Sequence, residues 1–179
     1  MTRYAAFLRG INVGRAKRVS MADLAGLVER LGYREVVTIL NSGNVVFTAP
    51  ASLRGDPGPR IERAVTDQLG VSSRVTALTS AEVNAAIEAN TLLDIASNPS
   101  RLLVAILSKK VDRRAIQGLV RRDWAPGALV HDGRAAFLWC PDGILGSRLA
   151  KEFAAAIRDD ATTRNWATML RIQAALRSS

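Results

Sequence analysis

Apolar positions repeat every second residue in some stretches of the chain and every third or fourth in others, and these changes of period lay out its elements. Arg3 to Arg9 is apolar at consecutive positions, which predicts a strand buried on both faces and central in its sheet. Gly10 to Val19 is a polar, basic loop. Ser20 then caps a helix whose inward stripe is Met21, Leu24, Leu27, Val28 and Leu31, and Gly32 stops it. Glu35 to Leu40 and Val45 to Thr48 read as strands joined by Asn41-Ser42-Gly43-Asn44, a hairpin turn. Pro50 to Pro59 reads as a mobile Gly/Pro loop, followed by a helix with Ile61, Ala64, Val65 and Leu69 on one face. Arg74 to Leu78 is a fourth strand, and Thr79 or Ser80 caps a short helix to Ala89.

That order is β-α-β-β-α-β, the ferredoxin-like split βαβ arrangement. The second half begins the same way. Leu102 to Leu107 is a strand, and Asp112 caps a helix carrying Ile116, Leu119 and Val120. Ala128 to His131 and Ala135 to Trp139 form a hairpin around Asp132-Gly133, and Ser147 to Ile157 is helical. No closing strand is read after it. Instead Thr162 or Thr163 leads into a C-terminal helix with Trp166, Met169, Leu170 and Ile172 on its apolar side. The expected fold is therefore α+β in two lobes: a ferredoxin-like βαββαβ lobe over residues 1–89, and an incomplete βαββα copy with an extra C-terminal helix over residues 90–179. The duplication rests on element order, since no run of residues recurs.

The topology carries a geometric expectation. The first two strands of such a lobe run in one direction and the third runs opposite, so the ends of strands one and two share an edge with the start of strand three. The loop Arg9 to Arg18 and the turn Asn41 to Asn44 should then lie side by side. They would present Arg9, Asn12, Lys17, Arg18, Asn41, Ser42 and Asn44, with no acid between Arg9 and Lys17. The loop feeds a helix N-terminus, where free N–H groups and the helix dipole favour an anion. Turn and cap chemistry alone accounts equally well for Ser20 and for Asn41 to Asn44. The loop is neither a P-loop nor a dinucleotide fingerprint, because Gly10 and Gly14 are too close and Lys17 does not follow the second glycine.

Charge points the same way without deciding the ligand. Lysine and arginine number 25 against 16 acids, a net +9 that attracts phosphates, nucleic acid or acidic partners. Only four of the 25 are lysine, an arginine bias that GC-rich codon usage alone produces. Lys109, Lys110, Arg113 and Arg114 surround a helix start, where an anion or simply solvent would offset them. His131 has no second histidine beside it and reads as a turn-edge residue. Cys140 is the lone cysteine, so no disulfide framework exists, and it reads as an apolar residue rather than a nucleophile. The three tryptophans fall on apolar stripes and strand ends and read as core. No acid pair or metal-ligand spacing appears, so no cofactor and no metal are expected. The longest clean apolar run is too short to span a bilayer, and the first residues read as a strand rather than a signal peptide. A cytoplasmic protein without membrane contact is the expectation.

Three segments together point to a family: Phe7-Leu-Arg-Gly-Ile-Asn-Val-Gly14, Asn41-Ser-Gly-Asn-Val-Val-Phe47 and Ala161-Thr-Thr-Arg-Asn-Trp166. The chain resembles, over nearly its whole length, the bacterial domain-of-unknown-function family 1697. That resemblance implies a two-lobed α+β fold and no assigned activity, substrate or cofactor. The chain departs from the family's pattern at Asn41, usually Gln, at Ala167, usually Asn, and in the run Gly143 to Leu149, so no phosphate loop is carried over to that run. The resemblance adds Thr162, Thr163, Arg164 and Asn165 as a candidate group, expected to face the Arg9–Asn12–Asn41–Asn44 edge across the lobe boundary and enclose one anion. Two functions follow. The first is binding of a phosphorylated or carboxylated metabolite or nucleotide by Arg9, Asn12, Lys17, Asn41, Ser42, Asn44, Thr163, Arg164 and Asn165. The alternative is RNA binding through the basic surface, although Tyr4 and Phe47 do not form the paired aromatics that stack bases.

Overall fold

The computed structural model describes residues 1–15 and 17–178. They form two compact units, one of Met1–Asn84 with the C-terminal stretch from Arg171, the other of Ala85–Leu170.

Unit 1 contains β1 (Thr2–Leu8), α1 (Met21–Arg30), β2 (Arg34–Ile39), β3 (Asn44–Ala49), α2 (Pro57–Leu69), β4 (Val75–Thr79) and the start of α3 (Ser80–Glu88). Its sheet runs β2-β3-β1-β4, and every neighbouring pair is antiparallel. That is the order a split βαβ requires. β1 therefore lies between two neighbours, as its unbroken apolar run predicts. Alternate residues of the sheet, Ala6, Leu8, Val45, Phe47 and Ala77, meet Leu24, Leu27 and Val28 of α1 and Ile61, Ala64 and Val65 of α2. The opposite sheet face, Ala5, Phe7, Val46 and Leu78, is buried too. Tyr4 and Phe47 are cross-strand partners with ring centroids 5.8 Å apart, and Tyr33 packs on Phe47 from 4.6 Å. Tyr33 and Phe47 are core, and Tyr4 packs against them, partly buried.

The caps explain where the helices begin. Ser20 Oγ accepts from Asp23 N at 3.0 Å, and at α3 Thr79 and Glu82 satisfy each other's amides in a capping box. One boundary differs from expectation. The supposed Gly/Pro loop ends at Asp56, whose carboxylate accepts from Gly58 N at 2.9 Å, and Pro57 to Pro59 form the first turn of α2. Proline suits that turn because its missing N–H is unpaired there anyway.

Unit 2 contains β5 (Leu102–Leu107), α4 (Arg113–Val120), β6 (Ala128–Asp132), β7 (Ala135–Trp139), α5 (Arg148–Ile157), a 3-10 turn (Arg158–Asp160) and β8 (Ala161–Asn165). A last helix, α6 (Trp166–Arg177), follows and runs on into the stretch counted with unit 1. The sheet order β6-β7-β5-β8 repeats that of unit 1, again antiparallel throughout. This corrects the reading of an incomplete copy, because the closing strand exists. Ala161 to Asn165 pairs along β5, with Ala105 opposite Thr163 and Leu107 opposite Ala161. Thr162 and Thr163 suit both a cap and a strand, being β-branched with a hydroxyl, and the ladder to β5 decides for the strand. The cap of α6 is Asn165 instead, whose Oδ1 accepts from Thr168 N at 2.9 Å.

Candidate functional site

The loop after β1 and the turn before β3 do meet at one edge of unit 1. Asn12 Nδ2 donates to Asn41 O at 2.8 Å, and Leu8 N donates to Gly43 O at 2.8 Å. Asn12 also closes its own loop. Its Nδ2 donates to Val19 O at 2.8 Å, its Oδ1 accepts from Val19 N at 2.9 Å, and its backbone N donates to Lys17 O at 3.0 Å. Both amide hydrogens of Asn12 are thus committed to the fold. Asn44 is likewise turned inward, donating to Ile39 O at 2.8 Å and to Ser42 Oγ at 3.0 Å, and it is buried. The carboxamides of Asn12 and Asn44 hold the loop and the turn in shape.

The cations divide in two. Arg9 is half-buried, its backbone fixed by Arg74 O and by Ser73 Oγ. Arg15, Lys17 and Arg18 are exposed, and among the described residues none of the three is in an ion pair. The first acid in the chain is Asp23, inside α1. The edge therefore has a rigid interior and a cationic exterior.

Thr163, Arg164 and Asn165 lie together on β8 in unit 2, and each has a different environment. Thr163 is exposed, and Asn165 caps α6. Arg164 is only 8 % exposed and donates through Nη1 to Thr163 O at 2.8 Å. Burial pushes its guanidinium down to about 10, which leaves it cationic at neutral pH. Lys109, Lys110, Arg113 and Arg114 are exposed around the start of α4, where Asp112 supplies the cap to Arg114 N. His131 Nε2 lies 3.2 Å from Gly133 O, a turn contact as expected. Among the described residues no group of three or more His, Cys, Asp or Glu could hold a metal ion.

Unit 2 also contains a cavity that sequence patterns did not reveal. It measures about 190 Å³ and is walled by Trp124, Pro126, Trp139, Cys140, Gly143 and Ser147. Arg122 and Arg148 stack over the Trp124 ring at 4.6 and 5.0 Å, and both pair with Glu152. Cys140 is 2 % exposed, and burial pushes its thiol up while a hydrogen bond with Ser147 pulls part of the way back. Such a thiol is a poor nucleophile. At mildly alkaline pH, Ellman's reagent should label native Cys140 at least about a hundredfold more slowly than the denatured chain. Equal rates would show that the cavity exposes the sulfur.

Two four-stranded antiparallel sheets of the same strand order, without a metal-ligand cluster among the described residues, define a two-lobed α+β protein. The chain belongs to the family described as "Protein of unknown function (DUF1697)", whose model matches residues 1–137. Among solved structures it is similar to one titled "The structure of conserved bacterial protein SP0830 from Streptococcus pneumoniae", with a TM-score of 0.76 and 22 % identity over 98 % of this chain and 99 % of that one. At that identity the likeness establishes the fold alone. No curated protein matches the chain. No described helix is long and apolar enough to cross a membrane.

Proposed function

We propose that the protein binds an anionic ligand, bearing phosphate or carboxylate, at the outer edge of unit 1. One observation carries this reading: Arg15, Lys17 and Arg18 stand exposed and free of ion pairs on a loop whose backbone is held by Asn12. Side chains on a fixed loop lose less backbone freedom on binding than side chains on a mobile one. Three like charges within four positions also repel one another, and an anion relieves that repulsion. Arginine adds the option of a bidentate contact with phosphate or carboxylate. No catalytic group is part of the proposal.

RNA binding is the weaker reading on geometry. Proteins that read RNA on a four-stranded sheet do so with exposed aromatics on its face. Here Phe7 and Phe47 are buried, and Tyr4 is partly buried and stacks on Phe47 against the core. Any nucleic-acid binding would have to be electrostatic, and its affinity would fall linearly in the logarithm of salt concentration.

A thermal-shift titration tests the proposal. Inorganic phosphate, nucleotides, sugar phosphates and dicarboxylates are titrated at constant ionic strength against wild type and a Lys17→Ala/Arg18→Ala variant. At least one should stabilise the wild type as RT ln(1 + [L]/Kd), about 2.7 kcal/mol at a hundredfold excess over Kd. The variant should lose most of that shift while keeping its unliganded Tm. If both proteins respond alike, the site lies elsewhere. If no anion shifts either, the reading fails.

A further inference from the structure

The cationic edge has an apolar component that a free anion would leave unused. Val13 is 71 % exposed, whereas Ile11 and Val19 on either side of it in the loop are buried. Leu40 is 45 % exposed. The two are joined through one contact: Asn12, which precedes Val13, donates to the carbonyl of Asn41, which follows Leu40. Asn12 also bonds both backbone groups of Val19, so the residue before Val13 is tied to both the loop's end and the turn. Leu40 has φ +57°, a backbone conformation that leucine seldom adopts. Two exposed aliphatic side chains thus belong to this edge, one on the loop that carries Arg15, Lys17 and Arg18 and one next to the turn bonded to that loop.

Resting on the anion reading above, we infer that the partner at this edge is an acidic polypeptide segment that carries an aliphatic side chain among its carboxylates. Phosphate or a nucleotide would meet the cations and leave Val13 and Leu40 hydrated. Nucleic acid would do the same, since its backbone offers charge and no aliphatic group. Anionic membranes are recognised by clusters of about 4–8 cations with larger apolar anchors, more than this edge provides. An extended acidic segment complements both parts together. Its side chains alternate, so carboxylates can face the cations while an intervening leucine or valine covers the aliphatic pair. The segment would be short, because three cations occupy only four sequence positions.

Fluorescence anisotropy tests this at low ionic strength with two labelled octapeptides, one of glutamates with two leucines and one of glutamates only. The wild type should bind the leucine peptide at least about tenfold more tightly, the effect expected of burying one aliphatic side chain. Val13→Ser/Leu40→Ser should bring the leucine peptide to the affinity of the all-glutamate peptide and leave the latter unchanged. Lys17→Ala/Arg18→Ala should weaken both. Phosphatidylserine vesicles and a single-stranded RNA are run as competitors, and displacement of the leucine peptide by either more effectively than by its unlabelled form overturns the inference. Equal binding of the two peptides, or no effect of the serine variant, also overturns it while leaving the anion reading intact. Absence of binding by phosphate and by both peptides removes the anion reading as well.

Discussion

Gly43→Ala is expected to destabilise the protein by about 3 kcal/mol, the sum of backbone strain and overpacking at a single atom. Gly43 sits in the turn at φ +78°, a conformation an L side chain rarely adopts. A Cβ there would lie 2.7 Å from Ile11 Cδ1, 2.8 Å from Ile11 Cγ1 and 2.9 Å from Leu8 Cβ. None of these can retreat cheaply. Leu8 Cβ is fixed to β1, and Ile11 is buried in the unit 1 core. The loop or the turn must shift, which also strains the hydrogen bond from Leu8 N to Gly43 O. Gly14→Ala supplies the comparison, since Gly14 has φ +61° but nothing within 4 Å of its added Cβ. It should cost about 1 kcal/mol, strain alone. Urea denaturation of both variants separates the two terms, and equal losses would refute the close approach. For a chain of this length the Gly43 variant should melt roughly 6–12 °C lower.

Seven of the eight strands, the order of the first sheet and the meeting of loop and turn were legible in the chain, because each depends on patterns that alternate locally and on a topology with few solutions. The unbroken apolar run of β1 placed it between two neighbours, and Ser20, Asp112 and Ser147 announced their helices. β8 was not legible. Ala161 to Asn165 is too short and too polar to show a period, and only the ladder to β5 turns it into a strand. The first turn of α2 was hidden by two prolines and a glycine, residues that mark loops everywhere except at a helix start.

The edge was legible in the sequence, and the bonding of its side chains was not. Sequence names the residues at an edge, but an asparagine offers the same donors to a ligand as to a neighbouring carbonyl. Asn12 and Asn44 face inward because Val19, Asn41 and Ile39 present backbone groups that would otherwise be unpaired. The exposed side chains at that edge include three cations and two aliphatic residues, Val13 and Leu40. The cavity of unit 2 was invisible for another reason. Its walls come from three separated segments around Trp124, Trp139 and Ser147, and no single stretch carries its signature.

Asn12→Ala should cost about 2–3 kcal/mol, more than a surface substitution and more than a residue reserved for ligand would cost. Three side-chain hydrogen bonds disappear together, leaving Val19 N, Val19 O and Asn41 O without their partner. Two of them are partly buried, so water replaces them incompletely. Alanine is also poorer than asparagine at φ +56°. Asn12→Gly keeps that conformation and should recover about 0.5–1 kcal/mol of the loss, isolating the backbone term. Asn12→Asp should be at least as damaging as alanine despite its equal size, because it sets an acceptor 2.8 Å from two carbonyl oxygens that now receive a donor. Denaturant unfolding of the three variants measures these differences. A loss below about 0.5 kcal/mol for Asn12→Ala would mean the carboxamide is dispensable to the fold, and would return Asn12 to the group of residues available for binding.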